Sequence, residues 1–210
     1  MADRHNLADE THIASATSRS YEIGLLLSRI FHPIFMNILM FIVVGYFALP
    51  NQIGGLLWAT ISIVTLCLPP TLFFRWRLRQ GAYSDEDVSN RHQRTELYLF
   101  GLLTLVVGTG VLLAVGLPRP FLALLIAAVV ISLLGLLINS FWKISVHAGS
   151  VSATATVATL YAPLLGLALW LGALAVGWAR VRTGNHTPLQ VLAGTLLSAC
   201  VVAAVFQLML

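Results

Sequence analysis

The sequence predicts an all-α protein, a polytopic integral membrane bundle of about six to seven transmembrane helices. Of its 210 residues, 58% are hydrophobic and 10% are charged, whereas soluble domains have roughly 45–50% apolar and about 25% charged residues. Apolar runs long enough to cross a bilayer recur along the chain. These observations exclude an ordinary soluble globular protein.

The first 30 residues differ from the rest of the chain. Residues 1–20 are polar, and Tyr21–Ile30 has one apolar side, which is typical of a short helix lying at a membrane interface. We therefore expect residues 1–30 to form a polar N-terminal segment with an interfacial helix, and residues 31–210 to form one membrane-embedded domain.

The membrane-embedded part contains seven apolar runs, each a candidate crossing. They are 33–49, 53–74, 96–117, 121–142, 148–162, 163–179 and 187–210. Breaks are expected at Pro50-Asn51, at Pro118-Arg119-Pro120 and at Pro163, and Thr187-Pro188 is a typical helix start. The two runs on either side of Pro163 are short, and they predict two crossings with a turn between them.

The basic residues mark one face of the bundle. Counting crossings puts eleven of the twelve Lys and Arg residues on the face that carries the N-terminus and only Arg119 on the other. We call the face with the eleven basic residues the loaded face. The positive-inside rule predicts that this face is cytoplasmic. The basic residues flank apolar runs, which favours a membrane protein over a nucleic-acid-binding one. Trp76, Tyr98, Trp142 and Trp178 fall at helix ends on the same face and are interpreted as lipid anchors.

Three polar segments are predicted to meet on the loaded face: 87–94, 143–149 and 180–190. Their cations are Arg91, Arg94, Lys143 and Arg180, and forked guanidinium groups suit phosphate oxygens well. Residues 145–149 open a helix whose free N–H groups, with Ser145, favour the same anion. We predict a phosphate site, with Arg182 left undecided between the site and the lipid headgroups.

Two histidines of these segments, His147 and His186, are the candidates for chemistry. One ring could attack phosphorus while the other protonates the leaving oxygen, a scheme that requires no metal and no cofactor. His5, His12 and His32 are interpreted as surface or interface residues, and His92 is left open. All acidic residues precede residue 97, and the cluster 85–87 is interpreted as a solvated loop, with a magnesium site as the alternative.

The three segments resemble the type 2 phosphatidic acid phosphatase family, membrane phosphatases that act without metal and share a fold with vanadium haloperoxidases. The family motifs are K-x6-R-P, P-S-G-H and S-R-x5-H-x3-D. In the third, Arg180 and His186 match and Gln190 replaces aspartate; in the second, Ser145 and His147 match. In the first, Arg94 matches, Thr95 replaces proline and Asp87 stands where lysine is usual.

The resemblance covers about residues 85–200 and is closest to a divergent bacterial branch, which implies a bacterial inner membrane. It implies that His186 is the nucleophile that forms a phosphohistidine, that His147 is the general acid, and that Arg94 and Arg180 bind phosphate. Lys143 and Arg91 have no place in the motifs, and their phosphate role is inferred from proximity. Gln190 is the main departure, because an amide orients a ring but supplies no charge; Asp87 could support His186 instead.

The sequence therefore predicts a membrane phosphatase that acts on a lipid phosphate, either an isoprenyl (di)phosphate or phosphatidic acid. Short loops between the motifs favour the isoprenyl substrate slightly. Three alternatives stay open: a lipid-phosphate binder or transporter without catalysis, a lipid phosphotransferase, and a structural membrane protein.

Overall fold

The computed structural model describes residues 18–84, 88 and 90–210, with the side chain of Arg91 excepted. Over these residues the chain is helical and contains no strand, so the all-α prediction is confirmed. The helices are α1 Ser18–Ile30, α2 Pro33–Phe47, α3 Gln52–Ser62, α4 Leu68–Arg79, α5 Arg91–Ala114, α6 Arg119–Phe141, α7 Val146–Tyr161, α8 Pro163–Arg182 and α9 Pro188–Met209.

Five helices in the described part of the chain are long and apolar enough to cross a membrane: Gln52–Arg79, His92–Ala114, Arg119–Phe141, Pro163–Arg182 and Pro188–Met209. The first of these joins α3 and α4 through a π-helical segment, Ile63–Cys67. Helices α1 and α2 pass the same test only as a pair, bent by 42°, which gives a sixth candidate. A polytopic bundle is thus confirmed, with five or six candidate spans where the sequence contains seven apolar runs.

Two of the seven runs do not qualify alone: α2 passes only together with α1, and α7 does not pass at all. Helix α7 has 16 residues, which span roughly 24 Å at about 1.5 Å per residue, and a bilayer core is about 30 Å thick. The predicted turn at Pro163 is confirmed, because α7 ends at Tyr161 and α8 begins at Pro163. A proline at the start of α8 ends the preceding helix early, since the residue before proline is driven out of the helical region.

Helix α7 lies in the interior of the bundle, between α2, α8 and α9. Ten of its residues are buried, and most of them are small. Its hydroxyl groups bond to carbonyls: Ser152 Oγ donates to Thr195 O at 3.1 Å and Thr154 Oγ1 to Met36 O at 3.1 Å. Close helix packing, which the small residues of this segment predict, is confirmed. Large apolar side chains instead cover the outer surface of helices such as α5 and α8.

Two glycines let α7 and α9 approach each other at the polar end of the bundle. A Cβ atom on Gly194 would lie 2.5 Å from the carbonyl oxygen of Ser145, and one on Gly149 would lie 2.8 Å from Ser198 Oγ. Both distances are shorter than a carbon atom tolerates. The crossing holds the start of α7 against the first turns of α9, which is where the second and third polar segments meet.

Gly194→Ala is expected to destabilise the protein by about 1–3 kcal/mol, because the new methyl group meets backbone rather than a movable side chain. Gly110→Ala is the matched control: it also lies inside a helix, but nothing lies within 4 Å of its Cβ position. The control should be neutral or slightly stabilising, because alanine is the better helix former. Thermal unfolding in detergent compares the two, and equal melting temperatures would contradict the role given to this crossing.

Candidate active site

The three polar segments lie together at one end of the bundle, as the sequence predicts. Backbone and side-chain hydrogen bonds join them: Ser145 N donates to Gln190 O at 3.1 Å, and Lys143 Nζ donates to Asn185 O at 2.8 Å. Arg94 Nη1 donates to Ile144 O at 3.3 Å and so ties the start of α5 to the same place. Residues of α5 and α9 and of the segments before α7 and after α8 therefore surround one site.

His186 owes its position to the turn after α8. Gly184 has a φ of +71°, a left-handed conformation that glycine adopts without a steric penalty and that commonly ends helices. The chain then folds back, and His186 N donates to Arg180 O at 3.1 Å. As a result the imidazole is buried next to the last turn of α8, with 6% of the residue exposed.

The hydrogen bonds around Gln190 select one tautomer of His186. The amide oxygen Oε1 of Gln190 accepts from the backbone N–H of Thr187 at 3.1 Å, so this atom is an acceptor. His186 Nδ1 lies 3.3 Å from the same oxygen and must therefore donate to it. The proton of the neutral ring sits on Nδ1, which leaves the lone pair of Nε2 for a reaction.

The surroundings of His186 keep the ring neutral. Burial is the main cause that lowers its pKa, and the positive charges of Lys143, Arg180 and Arg94 lower it further, to about 3; the hydrogen bond with Gln190 acts in the opposite direction. A ring with this pKa is unprotonated at neutral pH and can act as a nucleophile.

His147 is the second residue of α7, at the end of the helix that lies in the site. Ser145 caps this helix by accepting from Ala148 N at 3.3 Å. The His147 ring bonds to the backbone carbonyl of Ser28 on α1, and the charges of Arg180 and Arg94 act on the ring. The two predicted catalytic histidines thus share the same two arginines.

The arginines are held within the protein. Only 1% of Arg180 and 6% of Arg94 is exposed. Arg94 Nε donates to Val88 O at 2.7 Å, so its guanidinium group is fixed from the loop that precedes α5 as well as from Ile144. A guanidinium with some of its five N–H groups bound to carbonyls keeps a rigid orientation and can present the others to an anion.

A cavity of about 440 Å³ begins at these residues and extends between the helices. Arg94, Ser145, His147 and His186 contribute to its polar end. Most of the remaining lining is apolar and comes from α2, the π-helical segment, α5, α6 and α9, with Met40, Phe41, Leu66, Leu105, Leu124 and Ile131 among the residues. The shape combines an anion-binding end with an apolar interior.

The other candidate residues either are not fully described or lie at the protein surface. Asp87 lies outside the described residues, and only the backbone of Arg91 is described, as the first residue of α5. Arg182 is exposed and donates to Ser20 Oγ at 2.8 Å on α1. His92 is exposed at the start of α5.

Two residues were misassigned from the sequence. His32, interpreted as a surface or interface residue, is half-buried, lines the cavity and contacts the His147 ring. Tyr98, interpreted as a lipid anchor, also lines the cavity, with its ring against Gly135 of α6. A signal for His32 was present, because it opens the first crossing on the same predicted face as the three polar segments.

The sequence pattern of the PAP2 superfamily matches residues 95–210, which is more than half of the chain and includes the second and third segments. No curated protein and no solved structure gave a match. The match extends from the first turn of α5 through α9 and contains both His147 and His186. The chain therefore belongs to the PAP2 superfamily, and this membership implies phosphatase-type activity on phosphorylated substrates.

Proposed function

We propose that this protein is an integral membrane phosphatase that removes phosphate from a lipid phosphate through a phosphohistidine intermediate on His186. One observation carries the proposal: two buried histidines and the buried Arg94 lie at the polar end of a cavity that is otherwise mainly apolar. The cations would bind the phosphate group and the cavity would hold the acyl or isoprenyl chain. The substrate class is an isoprenyl (di)phosphate or a phosphatidic acid-type lipid.

The charges around His186 support binding of a phosphate. Lys143, Arg180 and Arg94 all act on this ring, and buried cations close to one another are stabilised when an anion binds between them. Phosphate oxygens match the fork of an arginine in geometry as well as in charge. Ser145 retains its hydroxyl proton for a further hydrogen bond, and the first N–H groups of α7 favour an anion at the same place.

The proposed reaction has two steps. In the first, Nε2 of His186 attacks phosphorus, the bond from phosphorus to the ester oxygen breaks, and protonated His147 gives its proton to the departing alcohol. In the second, a water molecule attacks the phosphohistidine and gives a proton to His147, the P–N bond breaks, and inorganic phosphate leaves. The cations stabilise the phosphoryl oxygens throughout, and the negative phosphate favours the protonated form of His147.

We further propose that residues 31–210 form the membrane-embedded phosphatase domain in a bacterial inner membrane, with the site on the cytoplasmic face. The support is the distribution of basic residues, eleven of twelve on the predicted face of the site. The lipid headgroup would then enter from the cytoplasmic leaflet while its chain remains among apolar side chains.

One observation favours a second candidate function, binding of a lipid phosphate without turnover. Gln190 supplies no negative charge to His186 where the family motif has aspartate. In a serine protease, replacing the equivalent carboxylate by an amide lowered turnover by about 10⁴. Binding without phosphate release would support this candidate.

The first prediction from the proposal concerns His186. Purified protein in detergent should release phosphate from at least one member of a panel of isoprenyl monophosphates, isoprenyl diphosphates and phosphatidic acid, also in the presence of EDTA. His186→Ala should abolish release because no phosphohistidine can form. His92→Ala is the control, since this histidine is exposed and has no proposed role. Release that persists in His186→Ala would contradict the covalent mechanism, and binding without release by the folded wild type would favour the second candidate.

The second prediction concerns pH. The pKa of His186 is lowered to about 3. Protonation of this ring should therefore not decrease kcat/KM between pH 5 and 7. Lys143→Met removes one positive charge, so the pKa should rise and the acid limb of the profile should move upward by about one pH unit. Lys143→Arg keeps the charge and should leave the limb in place. An acid limb that is the same in the Met variant and the wild type would show that Lys143 does not act on His186.

The third prediction concerns Gln190. Glutamate has nearly the same shape, can keep the bond from Thr187 N and preserves the capping box at the start of α9. Gln190→Glu should raise the pKa of His186 and raise kcat by roughly tenfold or more, because the carboxylate stabilises the positive ring that forms in the first step. Gln190→Ala, which removes the orienting oxygen, should lower kcat. Turnover that falls in the Glu variant would mean that a neutral partner is required.

A further inference from the structure

The link between α1 and α2 brings a third histidine into the site. His32 lines the same cavity as His147 and His186, and its ring packs edge-to-face against the His147 ring, with centroids 5.5 Å apart and an interplanar angle of 88°. None of the three motifs contains His32, and it lies outside the residues matched by the superfamily pattern. Its role therefore has to be derived from its contacts.

The orientation of the His32 ring is fixed. Its Nδ1 accepts from Ile34 N at 3.3 Å and so caps the start of α2. In the neutral ring this places the proton on Nε2. Phe35 contacts the ring with centroids 6.0 Å apart. The cap and the two ring contacts leave His32 little freedom to rotate.

The same corner of the chain contacts His147 a second time, through the carbonyl of Ser28. Helix α1 is in turn held on α8: a Cβ atom on Gly24 would lie 2.9 Å from Thr183 Cγ2, and Ser20 accepts from Arg182. The α1–α2 corner, residues 28–35, thus holds His147 by one hydrogen bond and one ring contact. Arg180, His32 itself and Arg94 also act on the His147 ring through their charges.

We propose that His32 is a positioning residue for His147. Its ring holds His147, the general acid, in the orientation from which His147 protonates the leaving oxygen. This inference rests on the proposed phosphatase function. Edge-to-face packing of two rings restricts rotation of both, and a proton donor has to be held within hydrogen-bond reach of the oxygen that it protonates. Loss of His32 should therefore impair the step that needs a proton and leave phosphate binding unchanged.

The leaving group provides a readout that a purely structural role would not affect. An alkyl phosphate expels an alkoxide, which needs a proton as it leaves, whereas 4-nitrophenolate leaves without one. For both substrates kcat/KM reports the steps up to cleavage of the ester bond. The ratio of kcat/KM for dodecyl phosphate to that for 4-nitrophenyl phosphate therefore measures general-acid catalysis.

The variant to test is His32→Asn, because asparagine can keep the cap of α2 but removes the ring. General acid catalysis contributes about 10²–10⁴, and His32→Asn should lower the ratio roughly tenfold, in the same direction as His147→Ala but less strongly. The KM for dodecyl phosphate should stay near that of the wild type. His92→Asn, an exposed histidine on α5, should leave the ratio unchanged. His32→Ser, a second capped variant, decides the matter if the Asn variant does not fold.

An equal loss with both substrates would assign His32 a structural role and overturn the inference, as would an unchanged ratio. Either result with an active wild type leaves the proposed phosphatase function standing. A folded wild type that cleaves neither of these two substrates nor any lipid of the isoprenyl and phosphatidic acid panel would overturn the phosphatase function and the inference together.

Discussion

The crossing of α7 and α9 is the constraint on which the site depends. Gly149 and Gly194 allow the two helices to approach so closely that Ser145 N reaches the carbonyl of Gln190. The start of α7 carries His147, and the start of α9 follows His186 and supplies Gln190. Two groups that are about 40 residues apart in sequence therefore act in one site because two glycine positions lack a side chain.

The electrostatics of the site follow from this packing. Charged groups are expensive in a membrane protein, yet Arg94 and Arg180 are buried beside both histidines. Burial, and after it the positive charges of the cations, lower the pKa of His186 and keep the ring neutral, as the proposed nucleophile requires. The same cations create a potential that attracts phosphate. Gln190 Oε1 accepts from Thr187 N and therefore also accepts from His186 Nδ1, which selects the tautomer of the ring. The amide adds no negative charge that would oppose the cations.

Much of the fold and the proximity of the three segments could be predicted from the sequence. Long apolar runs and proline breaks predict helices, and the parity of crossings places the segments on one face. The sequence shows that the run 148–162 is short, but not that α7 lies in the interior of the bundle against α2, α8 and α9. The sequence places His32 on the same face as the three segments, but the orientation of its ring depends on how α1 bends into α2. The orientation of Tyr98 depends in the same way on how α5 packs on α6.

The site includes residues that lie before the part of the chain matched by the superfamily pattern. The superfamily pattern begins at residue 95, but Arg94, the carbonyl of Ser28 and the His32 ring all contact the site from outside this range. The pattern contains both histidines of the proposed reaction, whereas the preceding helices contact one of them, His147. A chain shortened to the matched residues would keep both histidines and lose Arg94 and the contacts that orient His147. The functional unit accordingly extends back to α1.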